Sequence, residues 1–147
     1  MIKQTQTATN MNRQTALPRG LRNNNPGNIR IGRDKWKGMR PHQEDKDFVQ
    51  FTSPSYGYRA IMVTLRNYRN KYGIATIADM VRRWAPPCEN DTAAYIKDVC
   101  TALQVPTDYV PDVYDRTTMC ALAAAISRHE NGREAIMEDV EAGWELL

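Results

Sequence analysis

From Ser53 onward the chain is a series of helix-period apolar stripes, each closed by proline or glycine, and this pattern leaves little room for anything but a helical domain. Ser53 and Pro54 form an N-cap and first-turn pair. Ile61, Leu65, Tyr68 and Tyr72 then fall on one helix face until Gly73 stops it. Thr76 opens a second helix with Ile77, Met80, Val81 and Trp84 on one side, and Pro86 and Pro87 end it. Asp91 or Thr92 caps a third, carrying Ile96, Val99, Cys100 and Leu103. A fourth begins near Thr117, where Met119, Leu122, Ala123, Ile126 and Glu130 share a stripe that ends at Asn131-Gly132. A last amphipathic segment carries Ile136, Val140, Trp144 and Leu147.

The segment before Ser53 reads differently. Residues 1–17 are polar and rich in Thr, Gln and Asn, which predicts a disordered tail; the folded domain is expected over 18–147. Asn23, Asn24, Asn25, Pro26 and Gly27 make a dense turn cluster. Asn28 to Ile31 and Phe48 to Phe51 are short strand candidates. The expected fold class is therefore mainly α (α+β), a helical domain with a small β-lobe near its N-terminal end.

Composition restricts the function. The chain has 147 residues, 41% hydrophobic and 25% charged, which suits one domain with one sizeable core. Its net charge of +3 is too small to imply nucleic acid, and basic and acidic residues are interleaved. A modest positive balance favours approach to an anionic polymer such as a cell wall. No stretch is long and apolar enough to span a membrane. The three cysteines, Cys88, Cys100 and Cys120, are odd in number and lack metal-ligand spacing, so they read as buried thiols of a chain made in a reducing compartment. Two histidines are too few for a zinc site, and no cofactor is expected.

Glu130 is the residue with the most chemistry in it. It prolongs an apolar stripe, which turns its carboxyl toward the packed side, where burial and the helix C-terminus both favour the protonated form. A carboxyl held protonated near neutrality suits the donation of a proton to a leaving sugar oxygen. The competing structural reading is a surface carboxyl at a fraying helix end.

The string Ala124-Ala125-Ile126-Ser127-Arg128-His129-Glu130-Asn131-Gly132 resembles the catalytic helix of lysozyme-like enzymes. Pro18-Arg19-Gly20-Leu21-Arg22-Asn23-Asn24-Asn25-Pro26-Gly27-Asn28-Ile29-Arg30 resembles the opening motif of phage and prophage proteins with lysozyme-like domains. Trp36-Lys37-Gly38, Phe48-Val49-Gln50-Phe51, Gly57-Tyr58-Arg59-Ala60, Trp84-Ala85-Pro86-Pro87 and Glu89 to Tyr95 continue the likeness. In bacterial glucosaminidases and lytic transglycosylases the Glu helix precedes such segments, whereas here it follows them. The resemblance therefore implies a circularly permuted lysozyme-like domain that cleaves β-1,4 MurNAc–GlcNAc bonds of peptidoglycan, as a lytic transglycosylase or a muramidase.

The same resemblance makes Glu130 the catalytic acid/base and Tyr95 its assisting tyrosine. Asn23, Asn25, Asn28, Arg22, Phe51 and Tyr56 are the substrate-binding candidates. Each also has a structural reading: the asparagines as turn formers, the arginine as a solvated charge, the aromatics as core. A hydrolase usually needs a second carboxylate, for which Glu44, Asp45 and Asp47 are candidates, with a solvated loop as the alternative. A transglycosylase needs only the one acid/base. The rival class is a non-catalytic virion structural or wall-binding protein.

The expected partner is peptidoglycan, with a phage virion, a secretion machine or an inhibitor protein as further candidates. The N-terminal stretch lacks the apolar core of a signal peptide. The expectation is synthesis in the cytoplasm and action in the periplasm or on the wall, after release, injection or as part of a virion.

Overall fold

The computed structural model describes residues 17–147; residues 1–16, and so nearly all of the expected polar tail, lie outside the described residues. The domain is mainly helical, as the periodicity predicts. Its helices are α1 (Arg19–Arg22), α2 (Pro54–Tyr72), α3 (Ile77–Trp84), α4 (Thr92–Leu103), α5 (Arg116–Asn131) and α6 (Met137–Glu145).

Local chemistry explains most boundaries. Thr76 accepts a hydrogen bond from Asp79 N at 3.1 Å, and Asp91 accepts one from Ala94 N at 3.2 Å, so both act as side-chain caps. Gly73 and Gly132 end α2 and α5 in the left-handed conformation, φ 64° and 70°. Ser53 occupies the cap position of α2, but its hydroxyl bonds Ser55 instead. The fourth expected helix begins at Arg116 rather than Thr117, because Asp115 accepts from both the backbone N and the hydroxyl of Thr118.

The main core joins all the longer helices. Ile61, Met62 and Leu65 from α2 meet Ile77 and Met80 from α3, Tyr95 and Val99 from α4, Met119, Leu122 and Ile126 from α5, and Val140 from α6. Helix α6 lies so close along α2 that a Cβ at Gly143 would sit 2.8 Å from Tyr58 Cβ and 2.9 Å from Arg59 N. Arg116 at the start of α5 pairs with Glu141 and Glu145 on α6. A smaller core of Val49, Phe51 and Ala60, with Ile29, Trp36, Met39 and Tyr56 around it, holds the N-terminal lobe on α2.

That lobe is where expectation and structure part. The two strand candidates contribute only isolated antiparallel bridges, Arg30 to Phe48 and Met39 to Phe51. A few backbone bonds join the segments, Val49 N to Ile29 O, Ile31 N to Asp47 O and Arg40 N to Gln50 O among them, and side chains supply many of the rest. Asn25 donates to the Ile29 and Val49 carbonyls at 2.9 and 2.8 Å. Gln43 donates to the Arg40 and Gln50 carbonyls, and Arg40 to the Phe51 carbonyl.

The lobe is tied to α1 through Asp45, which also disposes of one expectation. Arg19 grips Asp45 with two hydrogen bonds of 2.7 and 2.6 Å, Asn23 adds a third at 2.9 Å, and the backbone N–H groups of Asp47 and Phe48 add two more. Asp45 is thus a structural anchor and not a free second carboxylate; Asp47 joins the same Arg19 cluster. The Arg19 guanidinium holds the Asp45 carboxyl well below the ordinary carboxylate range, with the backbone and Asn23 donors adding to the effect.

A carboxyl depressed in this way stabilises the fold above its unfolded value near pH 4, and that contribution fades as pH falls toward the folded value. The urea midpoint is therefore expected to fall below about pH 4 in the native chain. In Asp45→Asn it should start lower at pH 7 and change less on acidification. Parallel pH profiles for the two proteins would contradict the anchoring role.

Candidate functional site

The asparagine-rich turn and the end of α5 close against each other, although they stand at opposite ends of the domain sequence. Asn131, the last residue of α5, donates to Pro26 O and to Ser127 O, both at 2.9 Å. Gly27 sits where a Cβ would press 2.7 Å from the Trp84 ring and 2.8 Å from Ile61, so only glycine lets the turn reach α2 and α3 this closely. Asn28 follows with a positive φ of 49°, a conformation that asparagine tolerates better than most residues. Its side-chain amide donates to Glu130 Oε1 at 2.9 Å, across 102 residues of chain.

Tyr95 comes to the same place from α4. It is 1% exposed, and its ring lies 3.8 Å centroid to centroid from that of His129, tilted by 31°. His129 is held in turn by Asp98, one turn further along α4, through Nδ1 at 2.7 Å. The Tyr95 hydroxyl lies beside the Glu130 carboxylate and the Trp84 side chain, near enough to feel both, yet completes no well-formed hydrogen bond. Burial, and then the Glu130 charge, hold this phenol far above its ordinary range, so it is a neutral O–H at any working pH. The Asn28 Oδ1 and Asn131 Oδ1 atoms are likewise buried without a partner. The two asparagine oxygens both face Gly20, where a Cβ would lie 2.7 Å from each.

Glu130, Asn28 and Trp84 line a cleft of about 630 Å³. Ile29, Arg30, Trp36 and Phe48 from the N-terminal lobe contribute one part of its lining. Thr64, Asn67, Tyr68 and Tyr72, spaced along one face of α2, contribute another, and Arg83, Pro86, Glu89 and Asn90 extend it past the end of α3. The lining mixes aromatic faces with amides and charges. Arg30 stacks over Phe48 at 5.1 Å and reaches Glu89 at 4.0 Å, while Arg83 stacks over Tyr72 at 5.3 Å. Burial pushes the Tyr68 phenol up, and the Arg83 charge pulls it back. Among the described residues no cluster of His, Cys, Asp or Glu side chains is placed to hold a metal ion.

The sequence-based candidates separate sharply. Glu130 and Asn28 come together in the cleft lining, with Tyr95 buried beside them and outside that lining. Asn25 is fully buried and spends its amide on the backbone of the turn, while Asn23 bonds Asp45 and Gln50; neither can reach a ligand. Phe51 is also fully buried, in the smaller core. Tyr56 packs against that core and against Gly38, away from the cleft lining. Arg22 donates to Leu17 O and does not line the cleft. Glu44, Asp45 and Asp47 are outside the cleft as well, where the carboxylates besides Glu130 are Asp34 and Glu89. Cys88 is exposed, contrary to expectation, whereas burial raises the thiol pKa of Cys100 and Cys120.

Trp36, Trp84, Tyr68, Tyr72 and Arg83 are among the cleft residues not anticipated as such. The tyrosines carried a signal, since their stripe on α2 continues beyond the last fully buried residue, Leu65.

No protein-family profile matches the sequence. Protein P5 of Pseudoalteromonas phage PM2 is 35% identical over 130 residues, which cover 86% of this chain and 80% of the phage protein. Among the described residues no helix is long and apolar enough to cross a membrane. A likeness of that extent, running through both the asparagine-rich turn and most of the helical domain, makes the chain a member of the phage protein P5 family.

Proposed function

We propose that the chain cleaves the glycan strands of peptidoglycan at β-1,4 MurNAc–GlcNAc bonds, as a lytic transglycosylase or a lysozyme-type muramidase, with Glu130 as general acid and base. The observation that carries this reading is the Asn28-bound carboxyl of Glu130 inside an aromatic-walled cleft, with the neutral Tyr95 hydroxyl beside it. The motif likeness of Arg22 to Arg30 and of Ala124 to Gly132 to lysozyme-like enzymes points the same way.

In this reading the Glu130 carboxyl gives its proton to the glycosidic oxygen as the bond to the anomeric carbon breaks. Asn28 fixes one carboxyl oxygen and so the direction of the proton, and the Tyr95 O–H stands by to donate to charge that develops next to it. Trp36, Tyr68, Tyr72 and Trp84 offer faces and edges to the apolar sides of sugar rings. The departing strand leaves with the transferred proton. The Glu130 carboxylate then takes a proton from the attacking hydroxyl. If that hydroxyl belongs to the same sugar, the product is an anhydro end; if it belongs to water, the product is a reducing end. The first route asks for no second carboxylate, whereas the second would draw on Asp34 or Glu89, which line the same cleft. The phage relative fits action on the wall from within or alongside a virion.

Purified sacculi incubated with the chain should release soluble muropeptides, and mass spectrometry separates the two ends by one water. Release of nothing by a folded chain would instead support a non-catalytic virion or wall-binding role.

A further inference from the structure

The cleft lining contains two arginines, and they are not in the same condition. Arg30 already has Glu89 beside it. Arg83 rests its guanidinium over Tyr72 and meets no carboxylate among the described residues. Arg33, Arg69 and Arg133 likewise meet no carboxylate among the described residues, but of these four only Arg83 lines the cleft. Arg19, Arg82, Arg116 and Arg128 all pair with acids, and Arg40, Arg59 and Arg66 donate to carbonyls. A guanidinium laid on an aromatic face keeps its N–H edge free for a planar anion, and a carboxylate is the anion that fits that fork.

Its place along the cleft matters too. Ile61 touches the Gly27 turn beside the Glu130 end, and Tyr72 closes the same helix. The interval is about 16 Å at 1.5 Å per residue. A strand lying along α2 with its scissile bond at Glu130 therefore passes Arg83 toward the Tyr72 end of the cleft.

We infer that Arg83 binds the carboxylates carried on the muramic acid residues of the strand, so that the cleft selects an anionic amino-sugar polymer over a neutral one. This rests on the glycan reading above. The carboxylate belongs either to the stem peptide or to the lactyl group itself once the peptide is removed, and both present the same planar anion to the guanidinium.

The test is calorimetric binding to full-length Glu130→Gln, which does not cut its ligand, using three probes. These are peptide-bearing glycan strands, the same strands stripped of peptide, and neutral chito-oligosaccharides of matched length. Adding Arg83→Gln should weaken one or both carboxylated strands about three- to fivefold, the range of a solvent-exposed ion pair, and leave the neutral oligomer unchanged. The affected probe identifies the carboxylate. Raised salt should reduce the difference, and Arg83→Lys, which keeps the charge but not the stacked planar fork, should restore only part of the preference. Equal weakening for all three probes would make Arg83 a mere support for Tyr72 and overturn the inference, as would no weakening at all. Failure of every probe to bind the parent protein would overturn the glycan reading and this inference together.

Discussion

Glu130→Gln is expected to lower muropeptide release from purified sacculi by about 10²- to 10⁴-fold, the usual worth of a positioned general acid. The substitution is conservative in every other respect. Glutamine has the same length, and its carbonyl oxygen can still accept from the Asn28 amide that now reaches Oε1 at 2.9 Å. The carboxamide has no transferable proton at working pH, so the chemistry is removed while the contact that orients the side chain stays. The thermal midpoint should move by no more than a degree or two, the scale of a surface change below about 0.5 kcal/mol. Equal muropeptide release by the two proteins would remove Glu130 from the mechanism. A comparable drop accompanied by a large loss of stability would make the carboxyl a structural member of the turn.

The positions of Glu130 and of the α2 tyrosines follow from one physical rule. A helix stripe is apolar for as long as it faces packed neighbours. Ile126 is buried at the centre of the α5 stripe, and Glu130 lies one turn beyond it, where packing gives way to the cleft. Leu65 is the last fully buried residue of the α2 stripe; Tyr68 lines the cleft, and Tyr72 is 61% exposed. Periodicity finds such stripes readily, but it says nothing of where the core stops, so the tyrosines read as core. Helix ends were legible because Thr76, Asp91, Gly73 and Gly132 act within a few residues of themselves. The N-terminal lobe was not, because side chains share with a few backbone bonds the work of holding its segments together. Arg40, Gln43 and Gln50 carry no local pattern that announces such roles. Phe51 and Tyr56 show the same limit: an aromatic residue declares that it will be buried or stacked, not against what.

Asn25 and Asn28 are the sharpest case, three residues apart in one motif and identical in type, and they should respond oppositely to substitution. Asn25→Ala is expected to cost about 3 kcal/mol, because it strands the Ile29 N–H, which now bonds Asn25 Oδ1, and the Val49 carbonyl, and leaves the Ile29 carbonyl with the Val49 N–H alone. That is a large share of the roughly 5–15 kcal/mol by which a domain is stable, and it should show as a marked drop in the urea midpoint. Whatever protein remains folded should bind strands nearly as well, since the side chain is fully buried, is not in the cleft lining, and meets that lining only through the Ile29 backbone. Asn28→Gly keeps the positive φ without strain and removes the amide that holds Glu130. It should lower the midpoint only slightly, by the roughly 1 kcal/mol of one part-buried hydrogen bond. Muropeptide release should fall about 10- to 100-fold, as expected when the proton donor is left to wander by an ångström. An Asn25 variant that stays stable yet loses strand binding would return that residue to the site. An Asn28 variant of full activity would mean that Glu130 needs no orienting partner, and the orientation would then have to come from the buried Tyr95 hydroxyl alone.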